Sequence, residues 1–175
     1  MRTSAPSMQL TRAADYAVRV MIHLATLPET QRTLLPALAN ATGAPVSFLS
    51  KVLQALAHAE LISSKRGSQG GFQILPRGRA ASVRQVVEAI DGPISLNLCL
   101  LSGSACSRQS RCTVHRVWFE AQAAMLLVLD AARIGDLGAQ PPLFFVASAV
   151  ACPASAAKGV TLRVALLEHC RSQRG

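Results

Sequence analysis

Apolar residues recur at helical spacing from the start of the chain. Ala14, Ala17, Val18, Met21, Leu24 and Ala25 follow the 3.6-residue period, and Thr11 stands where an N-cap belongs. The pattern stops before Pro28, and a polar stretch, Glu29 to Thr33, follows. Leu34 to Thr42 predicts a short helix with Leu35, Leu38 and Ala39 inward, ended by Gly43 in a left-handed conformation. Beyond Ala44-Pro45, a stripe of Leu49, Val52, Leu53 and Leu56 predicts a third helix, with Ser47, Ser50, Lys51 and Gln54 on the opposite face. Two short helices joined by a Gly-containing turn make a helix-turn-helix pattern. The small polar and basic side chains near the start of the second helix occupy the positions that reach base edges in a major groove.

The period then changes. Leu61 to Arg66 reads as a strand, Gly67-Ser68-Gln69-Gly70-Gly71 as a flexible turn, and Phe72 to Leu75 as the return strand. A hairpin directly after a helix-turn-helix is a wing. Ser64, Lys65 and Arg66 lie toward its tip, where the basic pair can meet phosphate or enter a minor groove. The glycines match neither a dinucleotide fingerprint nor a P-loop, which argues against a nucleotide site. Ser82 predicts the cap of a helix running through Ile90, stopped by Asp91-Gly92-Pro93. A loop with two cysteines follows, and then a long helix from about Thr113 to Arg133. Its stripe of Val114, Val117, Trp118, Ala121, Met125, Val128 and Leu129 is too apolar for a solvent-facing helix, so a second chain is its natural partner.

The expected fold is mainly α with a small β-hairpin wing: a winged helix-turn-helix plus a long dimerisation helix. Residues 8–92 form the DNA-binding domain, 93–137 the cysteine loop and long helix, and 138–175 a C-terminal extension without clear period, apart from a possible helix around 160–169. Only seven of 175 residues are aromatic, so the core must be mostly Leu, Val, Ile and Ala, which suits helices. The net charge is +9, and +6 of it falls in residues 1–80, which predicts a polyanion-binding surface in the first half. Met1 to Leu10 has no apolar core of a secretory signal, and the stretch 141–157 is short for a membrane span and broken by Pro and Ser. A cytoplasmic location is therefore expected, where five cysteines serve as metal or redox groups more readily than as disulfides.

Three of these cysteines cluster as Cys99-x6-Cys106-x5-Cys112, and His115 follows after two intervening residues. Thiolates are soft ligands for Zn or an iron–sulfur cluster. Structural zinc sites usually present close pairs such as C-x2-C, so the wide gaps suit a larger inorganic core. Arg108 and Arg111 can offset its negative charge.

Together these segments resemble the IscR/NsrR-type winged-helix iron–sulfur transcriptional regulators. The resemblance rests on Met8-Gln9-Leu10-Thr11, Asp15 to Arg19, Phe48 to Gln54, the wing from Ser64 to Phe72, the three cysteines and Ile134 to Leu137. It implies a homodimer joined by the long helix, with an iron–sulfur cluster on Cys99, Cys106 and Cys112. It also implies DNA contacts from Ser47, Ser50, Lys51, Ser64, Lys65 and Arg66. Two residues compete for the fourth ligand. His115 stands where the cluster-biogenesis branch places the histidine of a [2Fe–2S] cluster. Asp15 stands where nitric-oxide sensors place an aspartate, reaching from the partner subunit to a [4Fe–4S] cluster. The Met-Gln-Leu-Thr and Asp-Tyr runs favour Asp15 and [4Fe–4S]. Each also has an ordinary reading, Asp15 as a helix-start carboxylate and His115 as a solvated helix residue.

The expected function is a dimeric regulator, a repressor, that binds a near-palindromic operator in double-stranded DNA according to cluster state. A zinc-bound or metal-free thiol sensor is the first alternative. An iron–sulfur redox protein is the second, and it leaves the helix-turn-helix and wing without purpose. No catalytic residues and no membrane partner are expected.

Overall fold

A computed structural model of the chain describes residues 10–67, 70–100 and 111–140. The first helix, α1 (Arg12–Thr26), starts at Thr11, whose hydroxyl accepts from the Ala14 N–H at 3.1 Å. Helix α2 (Leu35–Thr42) opens with Pro36 in its first turn and ends at Gly43, with φ +68°, a conformation that glycine adopts without cost. Helix α3 (Val46–His58) follows Pro45 after a three-residue turn and buries Leu49, Val52, Leu53 and Leu56. Strand β1 (Ile62–Lys65) pairs antiparallel with β2 (Gly71–Ile74) in the register Ile62↔Ile74 to Lys65↔Gly71. Helix α5 (Val83–Asp91) opens with a capping box between Ser82 and Gln85.

One core joins these elements. Val20, Met21 and Leu24 of α1 meet Leu38, Leu49, Leu53, Leu56, Ile62, Ile74 and Val86. Its makeup is aliphatic, as the scarcity of aromatic residues predicts.

The polar stretch Glu29 to Thr33 has more structure than its sequence suggests. Thr33 exchanges both backbone hydrogen bonds with Phe72, at 2.9 Å each, and so adds a single bridge beside the hairpin. Arg32 donates to the Gly71 carbonyl and the Ser63 hydroxyl, and the Gln73 amide donates to the Glu29 carbonyl. The root of the wing is thereby pinned to the body.

A short helix, α4 (Pro76–Ala80), follows the wing where no helix was expected. Five residues are too few to show a period, and tertiary contacts hold them in place. From α4, the Arg79 guanidinium donates to the Ala25 and Leu27 carbonyls at 2.8 and 2.9 Å, satisfying the C-terminal end of α1.

The long helix is shorter than expected and has a sequel. Helix α6 runs His115–Ala131, and the chain straightens at Ala132 and Arg133 before α7 (Ile134–Ala139). The straight segment pairs with the start of α5: Val83 donates to Ala132, and Ile134 donates to Ala81, both at 2.9 Å. Helix α7 then packs on α1, with Ile134 fully buried. The change in sequence texture at residue 138 thus falls inside α7. The proposed helix at 160–169 lies outside the described residues.

Candidate nucleic-acid interface and cysteine site

Burying the apolar stripe of α3 turns its opposite face outward by necessity. Ser47 and Lys51 are exposed and Ser50 is half-buried. The Ser50 hydroxyl donates to the Ser47 carbonyl at 2.9 Å, which leaves its lone pairs as acceptors. The last turn of α3 passes into β1, with Leu61 N–H donating to the Leu56 carbonyl at 3.0 Å. Ser64, Lys65 and Arg66 follow and are all exposed.

The basic residues described in the first half differ in what they meet, and Arg12 is exposed at the start of α1. Arg32 and Arg79 hold the wing root and the end of α1. Arg19 pairs with Asp15 and Arg77 with Glu60. Lys51, Lys65 and Arg66 are the exposed charges on the outer face of α3 and at the wing tip. Net charge over residues 1–80 therefore overstates the charge aimed at a partner, because spacing cannot separate a bracing arginine from a contacting one.

Cys99 lies in the 3-10 turn Leu98–Leu100, and Cys112 lies just before α6. Both are free thiols and half-buried. Cys106 lies outside the described residues. His115 opens α6, and its N–H donates to the Cys112 carbonyl at 3.2 Å. Asp15 sits in the first turn of α1 with its carboxylate against Arg19 at 2.8 Å and about half its surface exposed (49%). Among the described residues no three His, Cys, Asp or Glu side chains group as metal ligands. Within one chain, Cys99, Cys112, His115 and Asp15 therefore do not assemble a site without Cys106 or a second subunit.

The segment leading to Cys99 is tied down at three points that sequence reading did not identify. The Asp91 carboxylate accepts from the hydroxyl and N–H of Thr11, at 2.7 and 3.3 Å, joining the end of α5 to the start of α1. Glu88 accepts from Ile94 N–H at 3.5 Å, and Gln122 of α6 accepts from Leu96 N–H at 3.0 Å. Arg84 bridges Glu88 to Asp130 near the end of α6. The hydrogen bond from Arg84 holds the Asp130 carboxyl below its ordinary range, and Asp130 and Glu88 raise the Arg84 guanidinium in turn. No local signal marks the Thr11–Asp91, Leu96–Gln122 and Arg84–Asp130 contacts, whose partners lie 80, 26 and 46 positions apart.

A small helical body with an antiparallel hairpin behind a helix-turn-helix defines a winged-helix DNA-binding architecture. The chain belongs to the Rrf2 family, described as iron-dependent transcriptional regulators, whose family model matches residues 10–140. It is 32% identical over 136 residues to a helix-turn-helix-type transcriptional regulator of Mycobacterium tuberculosis, covering 77% of this chain and 84% of that one. It is also 32% identical over 131 residues to the regulator NsrR of Geobacillus kaustophilus, covering 74% and 89%. Among solved structures, the global cysteine regulator CymR of B. subtilis superposes with a TM-score of 0.61 at 23% identity, over 75% of this chain and 96% of that one. The IscR of T. potens gives 0.57 at 22% identity, over 74% and 85%. The family is one of transcriptional regulators, which are not enzymes. Among the described residues no helix is long and apolar enough to cross a membrane.

Proposed function

We propose that the protein is a homodimeric repressor whose affinity for a near-palindromic operator is set by an iron–sulfur cluster. The observation that carries the DNA-binding part is the exposure of Ser47, Lys51, Ser64, Lys65 and Arg66 on two consecutive elements, after other arginines have been taken up by the scaffold. Helix α3 reads bases in a major groove, and the wing meets phosphate. The dimer rests on α6, which buries none of its 17 residues in the single chain. The cluster rests on the donor set: soft sulfur ligands, two of them half-buried and unpaired in disulfides, one in the turn Leu98–Leu100 and one just before α6. Cys99, Cys106 and Cys112 hold it, with Asp15 of the partner subunit as fourth ligand and [4Fe–4S] as its form. Bound there, it supplies a redox-active and nitric-oxide-reactive core.

The chain's own residues carry the consequence to DNA. The cysteine segment is fastened to α1 through Asp91–Thr11 and to α6 through Gln122. A shift of that segment therefore acts on both the dimer helix and the body bearing α3. Half-sites about one helical turn apart are engaged only in one relative geometry. A cluster held by these residues would bias the chain between two populations of that geometry.

One observation favours a second reading of the fourth ligand. The backbone of His115 is bonded to that of Cys112, which keeps an imidazole in the same turn as a cysteine ligand and fits a [2Fe–2S] cluster. Anaerobic absorption and Mössbauer spectra of the purified protein test both readings, and a colourless protein would point instead to zinc or to metal-free thiols. Asp15→Ala is expected to uncouple cluster state from DNA affinity, because it cuts a link between subunits. His115→Ala is expected to leave that coupling intact. A stable [2Fe–2S] spectrum that changes in His115→Ala but not in Asp15→Ala would reverse the assignment.

The wing gives a separate expectation. Removing one phosphate contact lowers the slope of log K against log salt by about one unit. Arg66→Ala should show that loss across a salt series, on specific and random duplexes alike. An unchanged slope would remove Arg66 from the interface.

A further inference from the structure

The first turn of α3 exposes large apolar groups among its polar ones. Phe48 is 38% exposed and Val46 is 48% exposed, directly beside Ser47. An exposed ring on an otherwise polar face loses the stabilisation it would gain in the core, so its role there needs an explanation. Phe48 is also held in place. Its ring stands edge-on to Tyr16 of α1, with centroids 5.7 Å apart and planes at 72°, and Arg19 lies over the Tyr16 ring at 5.9 Å. The side chain is thus in contact with α1 while part of its surface stays exposed. It precedes Lys51 by three residues, which places both on neighbouring positions of the helix surface.

We infer that Phe48 is a specificity-determining residue that reads the 5-methyl group of thymine in the operator. This rests on the DNA-binding reading of α3 given above. In the major groove, thymine is the base that offers an apolar methyl, and an aromatic edge is a suitable contact for it. The hydroxyls and ammonium group of Ser47, Ser50 and Lys51 recognise the hydrogen-bonding groups of base edges, and the ring adds an apolar contact beside them. The adjacent positive charge of Lys51 and the wing brings the ring to the duplex, which makes the occupant of this apolar patch DNA. The braced ring also loses little side-chain freedom on binding.

The test uses the full chain and an operator selected from a random duplex library. Each thymine is replaced in turn by deoxyuridine, which removes the methyl and leaves every hydrogen bond in place. Wild-type protein should lose about fourfold in affinity per half-site at one or two thymines, the weight of one buried methyl-sized group. Phe48→Ala should bind the two duplexes equally at those positions. Phe48→Leu, which keeps an apolar contact with Tyr16, provides the same comparison if the alanine variant does not fold, and should show a reduced deoxyuridine effect. The inference is overturned if no thymine shows the effect in wild-type protein. It is equally overturned if folded Phe48 variants retain the effect in full, which would assign the methyl contact to another side chain such as Val46. Failure of the chain to select any duplex would instead overturn the DNA-binding reading, a result separable from both.

Discussion

Val128→Glu is expected to leave the chain monomeric. Val128 is 68% exposed in the single chain, next to Leu127 at 72% on the same helix, while Val117 and Phe119 are 57% and 60% exposed nearer its start. A helix of 17 residues, about 25 Å long, with this much apolar surface and no buried residue is the surface on which the proposed dimer rests. A symmetric pairing of two α6 helices brings like surfaces together, so one substitution enters the interface twice. Each buried, unpaired carboxylate costs several kcal/mol. Sedimentation velocity at micromolar protein should show the monomer, with operator binding reduced accordingly. The winged-helix body should keep its fold, because Val128 takes no part in the main core. A variant that stays dimeric would place the interface elsewhere.

Gly78→Ala is expected to destabilise the fold by about 1–3 kcal/mol or more, because there is no room for the added methyl group. A Cβ on Gly78 would collide with the carbonyl oxygen of Leu61 and come within 2.9 Å of its carbonyl carbon and 3.0 Å of the Met21 methyl. Backbone cannot yield as a side-chain tip can. Helix α4 would have to lift away from Leu61, weakening the Leu75–Leu61 hydrogen bond at 3.1 Å and the Arg79 contacts that cap α1. A fall in Tm of at least about 4 °C, followed by circular dichroism, is the expected result. An unchanged Tm would show that α4 is not pressed against Leu61.

The local elements were legible because their causes are local. The cap at Thr11, the stripe of α3, the left-handed Gly43 and the Ser82 capping box each involve residues within one or two helical turns. The hairpin was legible for the same reason, through its glycines and the change of period. The candidate site was legible as residue types in order: a polar face on α3, a basic wing tip, and cysteines at wide spacing.

Long-range pairing decided the rest. Thr33 forms its bridge only because Phe72 lies opposite it, and a polar stretch carries no signal of that partner. The break at Ala132–Arg133 arises where the chain pairs with Ala81 and Val83, about fifty residues earlier, and beyond it α7 forms where the pattern gave no helix. The arginines divide into braces and outward charges by which carbonyl or carboxylate each one finds. By itself the amino-acid order determined α1, α2, α3, α5 and α6, the wing and the chemistry available to them, because those follow from neighbours along the chain. Only the tertiary structure decided which charges remain outward, which glycines have no room, and that α6 buries none of its residues, because these depend on what distant segments bring alongside.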